Sequence, residues 1–171
     1  MRNLQIRDWK ISDLKKIENL KKGLNLILPV SSKEFFSNIY RGKVALIDGK
    51  IVGFVLYWIV EDEVEIHAII VSENYRRRSI GTALMTSIIE ELKRIGKPFT
   101  IFLEVSEKNF PAINLYKKFG FKKVAERKKY YRNGDNALVL MLKINPTEVQ
   151  DVQGRKLKET GKGEVPPLCN P

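Results

Sequence analysis

The strongest constraint on what this chain can fold into lies between Ile66 and Ile95. An apolar run, Ile66 to Val71, leads into Tyr75-Arg76-Arg77-Arg78-Ser79-Ile80-Gly81-Thr82, and an apolar-periodic segment, Ile80 to Ile95, leads out. In order, that is a strand, a basic turn and a helix. A helix begins with unpaired backbone N–H groups and the positive end of a dipole. The turn is therefore a ready site for a phosphate or pyrophosphate.

The segments before it change period partway. Leu4 to Trp9 predicts a strand. Ser12 is a candidate cap for a helix carrying Leu14, Ile17 and Leu20, with Gly23 as its stop. Leu24 to Leu28 is a short apolar run ended by Pro29. Ser31-Ser32-Lys33-Glu34 reads as a capping box for a second helix with Phe35, Phe36, Ile39 and Tyr40, ending near Gly42. From Lys43 the period drops to two. Val44 to Ile47, Ile51 to Val60 and Val64 to Val71 predict an antiparallel meander, turned at Asp48-Gly49 and at Glu61-Asp62-Glu63. Strict alternation in its last strand puts Glu65 and His67 on one face, and Val64, Ile66, Ala68 and Ile70 on the other.

Beyond the basic turn, Ile80, Leu84, Ile88, Leu92 and Ile95 form one helical stripe that Gly96 stops. Thr100 to Val105 reads as a strand buried on both faces. Lys108-Asn109-Phe110-Pro111 opens another helix, with Asn109 as its cap and Ala112, Leu115, Tyr116 and Phe119 as its apolar positions. Phe121 to Tyr131, a turn at Asn133-Gly134, and Ala137 to Ile144 predict a closing hairpin. The order describes a mixed α/β sheet with helices on its faces. Residues 1–144 read as one domain. Residues 145–171, with Gly154, Gly161, Gly163, Pro166 and Pro167 and no apolar period, read as a disordered or loosely attached tail.

The formal charge is +11. It favours an anionic partner (a phosphate-rich cofactor, RNA or an acidic protein surface), although a lysine-rich solvated surface accounts for it equally well. The one cysteine, Cys169, excludes a disulfide framework and a thiolate metal cluster, and the one histidine, His67, argues against a histidine metal site. No apolar run approaches the roughly 20 residues of a membrane span, and the first residues lack an apolar signal core, so a cytoplasmic protein is expected.

Arg76-Arg77-Arg78-Ser79-Ile80-Gly81 resembles the acetyl-CoA signature of the GNAT N-acetyltransferases, Gln/Arg-x-x-Gly-x-Gly/Ala. Leu103-Glu104-Val105, Asn109, Ala112, Leu115-Tyr116-Lys117-Lys118-Phe119-Gly120-Phe121 and Tyr130-Tyr131 resemble the RimI-type and archaeal N-terminal acetyltransferases. The resemblance runs from about Val44 to Ile144. It implies the GNAT fold: a mixed, mostly antiparallel sheet of about seven strands flanked by about four helices. It also implies acetyl-CoA as co-substrate, no metal, and transfer of acetyl to the α-amine of a protein N-terminus, from a ribosomal protein or nascent chains. No membrane and no direct role on DNA are expected. A lysine or small-molecule amine is the nearer alternative substrate. A non-catalytic ribosome- or RNA-binding module is the more distant alternative.

The resemblance also assigns residues. Backbone N–H groups from Arg77 through Ser79, Ile80 and Gly81 to Thr82 would cradle the pyrophosphate, with Arg76 or Arg78 adding charge. Ile69, Ile70 and Val71 would pair with the pantetheine amides, and Asn109 and Ala112 would meet the cofactor. Glu104 is the first candidate base and Glu65 the second, while Tyr116 is the candidate acid. Tyr131, or else Tyr130, would hold the peptide, with the segment from Leu24 to Lys33 as the other wall of the groove. Glu104 sits in an otherwise apolar strand, where partial desolvation is expected. Tyr130 and Tyr131, as neighbours in a strand, are expected to face opposite ways. Ser79 stands where the family has Gly; it keeps the bulk small and adds a hydroxyl that can bond a phosphate.

Overall fold

The computed structural model describes residues 3–21 and 40–146. The chain runs β1 (Leu4–Asp8), α1 (Leu14–Lys21), β2 (Tyr40–Ile47), β3 (Lys50–Val60), β4 (Glu63–Val71), α2 (Ile80–Ile95), β5 (Phe99–Ser106), α3 (Phe110–Lys118), β6 (Lys122–Arg127) and β7 (Ala137–Ile144). The seven strands form one sheet in the order β1-β2-β3-β4-β5-β7-β6. Only the β4–β5 pair is parallel. This is the mixed, mostly antiparallel sheet expected. The apolar run at Leu24, the helix expected after Ser31 and the chain from Thr147 onward lie outside the described residues. No helix among the described residues is long and apolar enough to cross a membrane.

Each face of the sheet has its own core. On one face, Ile80, Leu84, Met85, Ile88 and Leu92 of α2 pack with Val55, Tyr57, Val64, Ile66, Ile101 and Leu103, joined by Ile113 and Tyr116 of α3. On the other, Ile17 of α1 packs with Val44, Phe54, Leu56, Ala68 and Ile70. Ile95, read as the last member of the α2 stripe, is 47% exposed in the helix's final turn. Gly96 closes that turn in the left-handed region, as expected.

Several local expectations change. Asp13, not Ser12, organises the start of α1. Its carboxylate accepts from the Lys10 backbone N–H at 2.8 Å and takes both guanidinium nitrogens of Arg7, at 2.7 and 3.0 Å. The Arg7 hydrogen bond holds the buried Asp13 carboxyl below the usual carboxylate range. Gly42 lies inside β2 rather than at a helix end, because Trp9 lies across it: a Cβ there would stand 2.7 Å from the Trp9 ring. In β5, burial alternates along the strand, so Phe102 and Glu104 lie on a partly open face instead of being buried like Ile101 and Leu103. β6 stops at Arg127, which leaves Tyr130 and Tyr131 in the β6–β7 loop. There Lys129 adopts positive φ and its N–H goes to the Asn136 side chain, which ends the ladder.

The largest departure is a bulge in β4. Leu56 faces Ala68 and Tyr57 faces Ile66, so His67 is an extra residue. Strict alternation fails at that point. Val64 and Ile66 join the α2 side, whereas Ala68 and Ile70 join the α1 side. The ladder to β5 also stops there, at Ile66 opposite Leu103.

Crowding at Gly42 gives a first test. Gly42→Ala should destabilise the protein by about 1–3 kcal/mol, because the indole must move or the strands must part. A urea midpoint equal to the parent's would show that Trp9 shifts freely.

Candidate active site

Two clefts lie beside β4 and β5, one over their paired stretch and one beyond it. The larger, about 780 Å³, is lined by Ile69, Ile70 and Val71 of β4, by the basic turn and first turn of α2, and by Asn109, Ala112 and Tyr116 of α3. The smaller, about 300 Å³, is lined by Glu65, Glu104, Trp58, Phe102 and Arg127, among others.

The larger cleft gathers nearly every residue assigned to the cofactor. Arg76, Arg77, Ser79, Ile80, Gly81 and Thr82 all line it. Arg78 does not; its guanidinium lies 5.3 Å from the centre of the Tyr75 ring. The Ser79 hydroxyl makes no capping bond to α2, and the first turn of that helix carries no acidic side chain. The helix N-terminus is thus open and positive. Gly81 allows α3 to come close, since a Cβ there would stand 3.2 Å from Leu115 Cδ2. Asn109 Oδ1 accepts from the Ala112 N–H at 3.3 Å, so the expected cap forms. Its amide N–H₂ makes no bond among the described residues.

Ser79 sits at φ 57°, and Arg77 is also left-handed at φ 58°. For a residue with a Cβ this costs about 1–2 kcal/mol. The five buried side chains of α2 supply on the order of 10 kcal/mol by comparison, so the turn survives its strain.

The smaller cleft holds both carboxylates. Glu65 lies level with Phe102, two residues before Glu104 on the same face of β5. Trp58 Nε1 donates to Glu65 Oε2 at 2.9 Å. His67 Nδ1 is 3.7 Å from Glu65 Oε1, and the ring stands 5.7 and 5.9 Å from those of Tyr40 and Trp58. Burial pushes the imidazole below its ordinary value despite the opposing pull of Glu65. Glu104 is not alone among apolar neighbours: Arg127 pairs with it at 3.0 Å. It also accepts a hydrogen bond from Tyr130, which raises the pKa of that hydroxyl.

Burial, then the negative charge of Glu104, raises the pKa of Tyr131, and Tyr131 in turn raises that of Tyr116. Tyr116 is itself pushed up to about 12, chiefly by burial. The two loop tyrosines do not point to opposite faces; their rings meet edge to face at 5.3 Å. The loop is fastened by Asp135, which takes Lys108 Nζ at 2.5 Å, Asn133 Nδ2 at 2.8 Å and Ser106 Oγ at 3.2 Å. Asn136 adds bonds to Glu107 and Glu126.

Sequence reasoning missed Trp58, Arg127 and the Asp135 anchor. The hairpin register around Glu61-Asp62, which sets Trp58 opposite Glu65, would have found the first. Arg127 reaches Glu104 only because β7 lies between β5 and β6, and no local signal carries that order.

The Acetyltransferase (GNAT) family matches residues 7–121, and the chain belongs to that family. It is 36% identical over 109 residues to the N-alpha-acetyltransferase of Sulfurisphaera tokodaii, which covers 57% of this chain and 65% of that protein. It is 34% identical over 123 residues to the ribosomal protein bS18-alanine N-acetyltransferase of Escherichia coli, covering 68% of this chain and 82% of the relative. The chain thus spans just under two thirds of the first relative's length. The crystal structure of the ribosomal-protein-S18-alanine N-acetyltransferase from Escherichia coli matches with a TM-score of 0.75 and 28% identity, over 85% of this chain and 96% of that one. Arabidopsis thaliana NAA60, solved in complex with acetyl-CoA, matches in fold with a TM-score of 0.69 and 24% identity, over 83% of this chain and 99% of that one.

Two outcomes are expected from this geometry. Ser79→Gly should stabilise the fold by about 1 kcal/mol, seen as a raised melting temperature, because Gly bears the left-handed conformation without strain. An unchanged or lowered value would show that the serine is held by contacts that offset it. In alkali, an unfolded chain loses its tyrosine protons near pH 10, while Tyr116 keeps its proton to about 12. Stability should therefore be constant on this account below pH 10 and fall between pH 10 and 12, by up to about 3 kcal/mol. Tyr116→Phe should flatten that fall, measured as chemical unfolding against pH.

Proposed function

We propose that this protein transfers the acetyl group of acetyl-CoA to the α-amine of protein or peptide N-termini, by direct attack in a ternary complex. The observation that carries the reading is the pair of clefts beside β4 and β5, one lined by Glu65 and Glu104 and the other by the basic turn and the proton-holding Tyr116. The names of the relatives support the same reading and suggest a ribosomal protein or nascent chain as substrate, met in the cytoplasm.

The larger cleft suits acetyl-CoA by its open helix N-terminus, its arginines and its unpaired strand edge. Bound there, acetyl-CoA supplies an activated acetyl thioester. N–H groups from Arg77 to Thr82 hold the pyrophosphate and Arg76 adds charge. The edge of Ile69 to Val71, where Arg76 Nε donates to Val71 O at 3.3 Å, would pair with the pantetheine amides, and an N–H near Val71 would serve the acetyl oxygen. Asn109 donates through its free amide.

The smaller cleft receives the amine. An α-ammonium has a reference pKa near 8, so its proton needs only modest help to leave. Glu104 accepts it, with Glu65, fixed by Trp58, assisting or substituting. Tyr116 holds its proton throughout the neutral range, ready for the departing sulfur. Tyr131 orients the peptide backbone between the two.

Short peptides with free and with blocked N-termini test the substrate class: acetylation that survives blocking would move the assignment to another amine. Glu104→Gln and Tyr116→Phe should each lower kcat by about 100-fold with the KM for acetyl-CoA nearly unchanged. Full activity in either variant removes that residue from its role, and full activity in Glu104→Gln with loss in Glu65→Gln makes Glu65 the base.

A further inference from the structure

We infer that the peptide groove selects N-termini followed by acidic side chains, an inference that rests on the N-terminal reading above. The smaller cleft and the loop over it are sorted by charge. Its lining carries three carboxylates, Glu63, Glu65 and Glu104, among apolar side chains, together with Arg127. The loop that leaves Arg127 and brings Tyr130 back to Glu104 carries the exposed Lys128, Lys129 and Arg132, and we take it as the rim of the groove.

The acids near that rim are already engaged. Glu126 binds Lys123 and Asn136, and Asp135 binds Lys108, Ser106 and Asn133. Among the described residues Lys128, Lys129 and Arg132 make no ion pair. The rim therefore presents cations that the fold does not neutralise.

Arg127 ties the two zones together. Its guanidinium occupies Glu104 at 3.0 Å and lies 5.4 Å from the centre of the Tyr130 ring, while its side chain is 59% exposed. An arriving α-ammonium offers the carboxylate the same kind of charge and takes that place. The displaced guanidinium is then free beside the incoming chain. Extended peptide advances about 3.3 Å per residue, so residues two to four pass under the rim. A carboxylate there replaces the charge Arg127 has lost. A lysine there meets like charges and is disfavoured. The net charge of +11 acts in the same direction at longer range.

The test uses the full chain, acetyl-CoA and three peptides with identical free N-terminal residues, carrying Glu, Gln or Lys at positions two to four. The Glu peptide should show a KM about fivefold below the Gln peptide, and the Lys peptide should lie above both, a spread that narrows in high salt. The double variant Lys129→Glu, Arg132→Glu should reverse the order of the Glu and Lys peptides while leaving the KM for acetyl-CoA unchanged. Equal KM values for all three peptides, or a preference for Lys, would overturn the inference and leave N-terminal acetylation standing. Acetylation of none of them would overturn the N-terminal reading itself.

Discussion

The arrangement of the site depends on one interruption in the backbone ladder. Parallel pairing between β4 and β5 holds from Glu63 to Ile66 and then ends, one residue before the extra His67. A sheet interior does not tolerate this cheaply, since a buried N–H or C=O without a partner costs about 1–3 kcal/mol. The strand edges that face each other across the gap are offset by what enters it. A ligand rich in amides, lying between the strands, would complete the ladder as a missing strand does. The same bulge swings the side chains of β4, so that Val71 and Ile69 turn toward the α2 side while Ala68 and Ile70 cross to the α1 side. One inserted residue thus opens the sheet and re-aims the strand that lines the opening.

The two sides of the sheet carry different chemistry. Tyr116 belongs to the α2–α3 side, and Glu65 and Glu104 look out of the other. In the proposed reaction, a proton acceptor and a proton donor on one face would exchange protons with each other or with a shared water. Separation by the sheet would keep them distinct, and Tyr131 is the loop residue that feels Glu104 and acts on Tyr116. Its position rests on Asp135, whose carboxylate fastens the loop to Ser106 at the end of β5 and to Lys108 just before α3. The loop over the amine side and the helix beside the larger cleft therefore share one anchor.

What could be read from the sequence was what is encoded locally. The α2 stripe, the Asp48-Gly49 turn, the Asn109 cap and the basic turn are each written within one helical turn or one hairpin, where periodicity and φ preference act. What could not be read depends on contacts between distant segments. The His67 bulge has no compositional mark, as Ile66 and Ala68 suit either face. The exposure of Phe102 and Glu104 follows from what covers one side of β5, not from the strand's own residues. Arg127 comes within 3.0 Å of Glu104 through the β5-β7-β6 order, and the strand expected to reach Tyr131 stops early because Asn136 captures the Lys129 N–H. The residues assigned to the cofactor fall together on one cleft because their motif is contiguous and turn-borne. The surroundings of Glu104 were not legible, because four elements build them.

The basic turn shows how local strain and global packing divide the work. Arg77 and Ser79 both hold left-handed backbone, which together costs roughly 2–4 kcal/mol. A chain relieved of this would continue α2 backward or extend β4 forward. Either would close the helix N-terminus against its own backbone or side chains. Held as it is, the turn leaves the first helical N–H groups without a side-chain cap, and no capping bond uses the serine hydroxyl. The buried stripe of α2 fixes the helix from the far side and leaves the turn no room to relax. An anion bound at the turn would interact with N–H groups that need no reorganisation, so the strain is offset in the folded state before any ligand arrives, and the binding site is rigid because the core beneath it is.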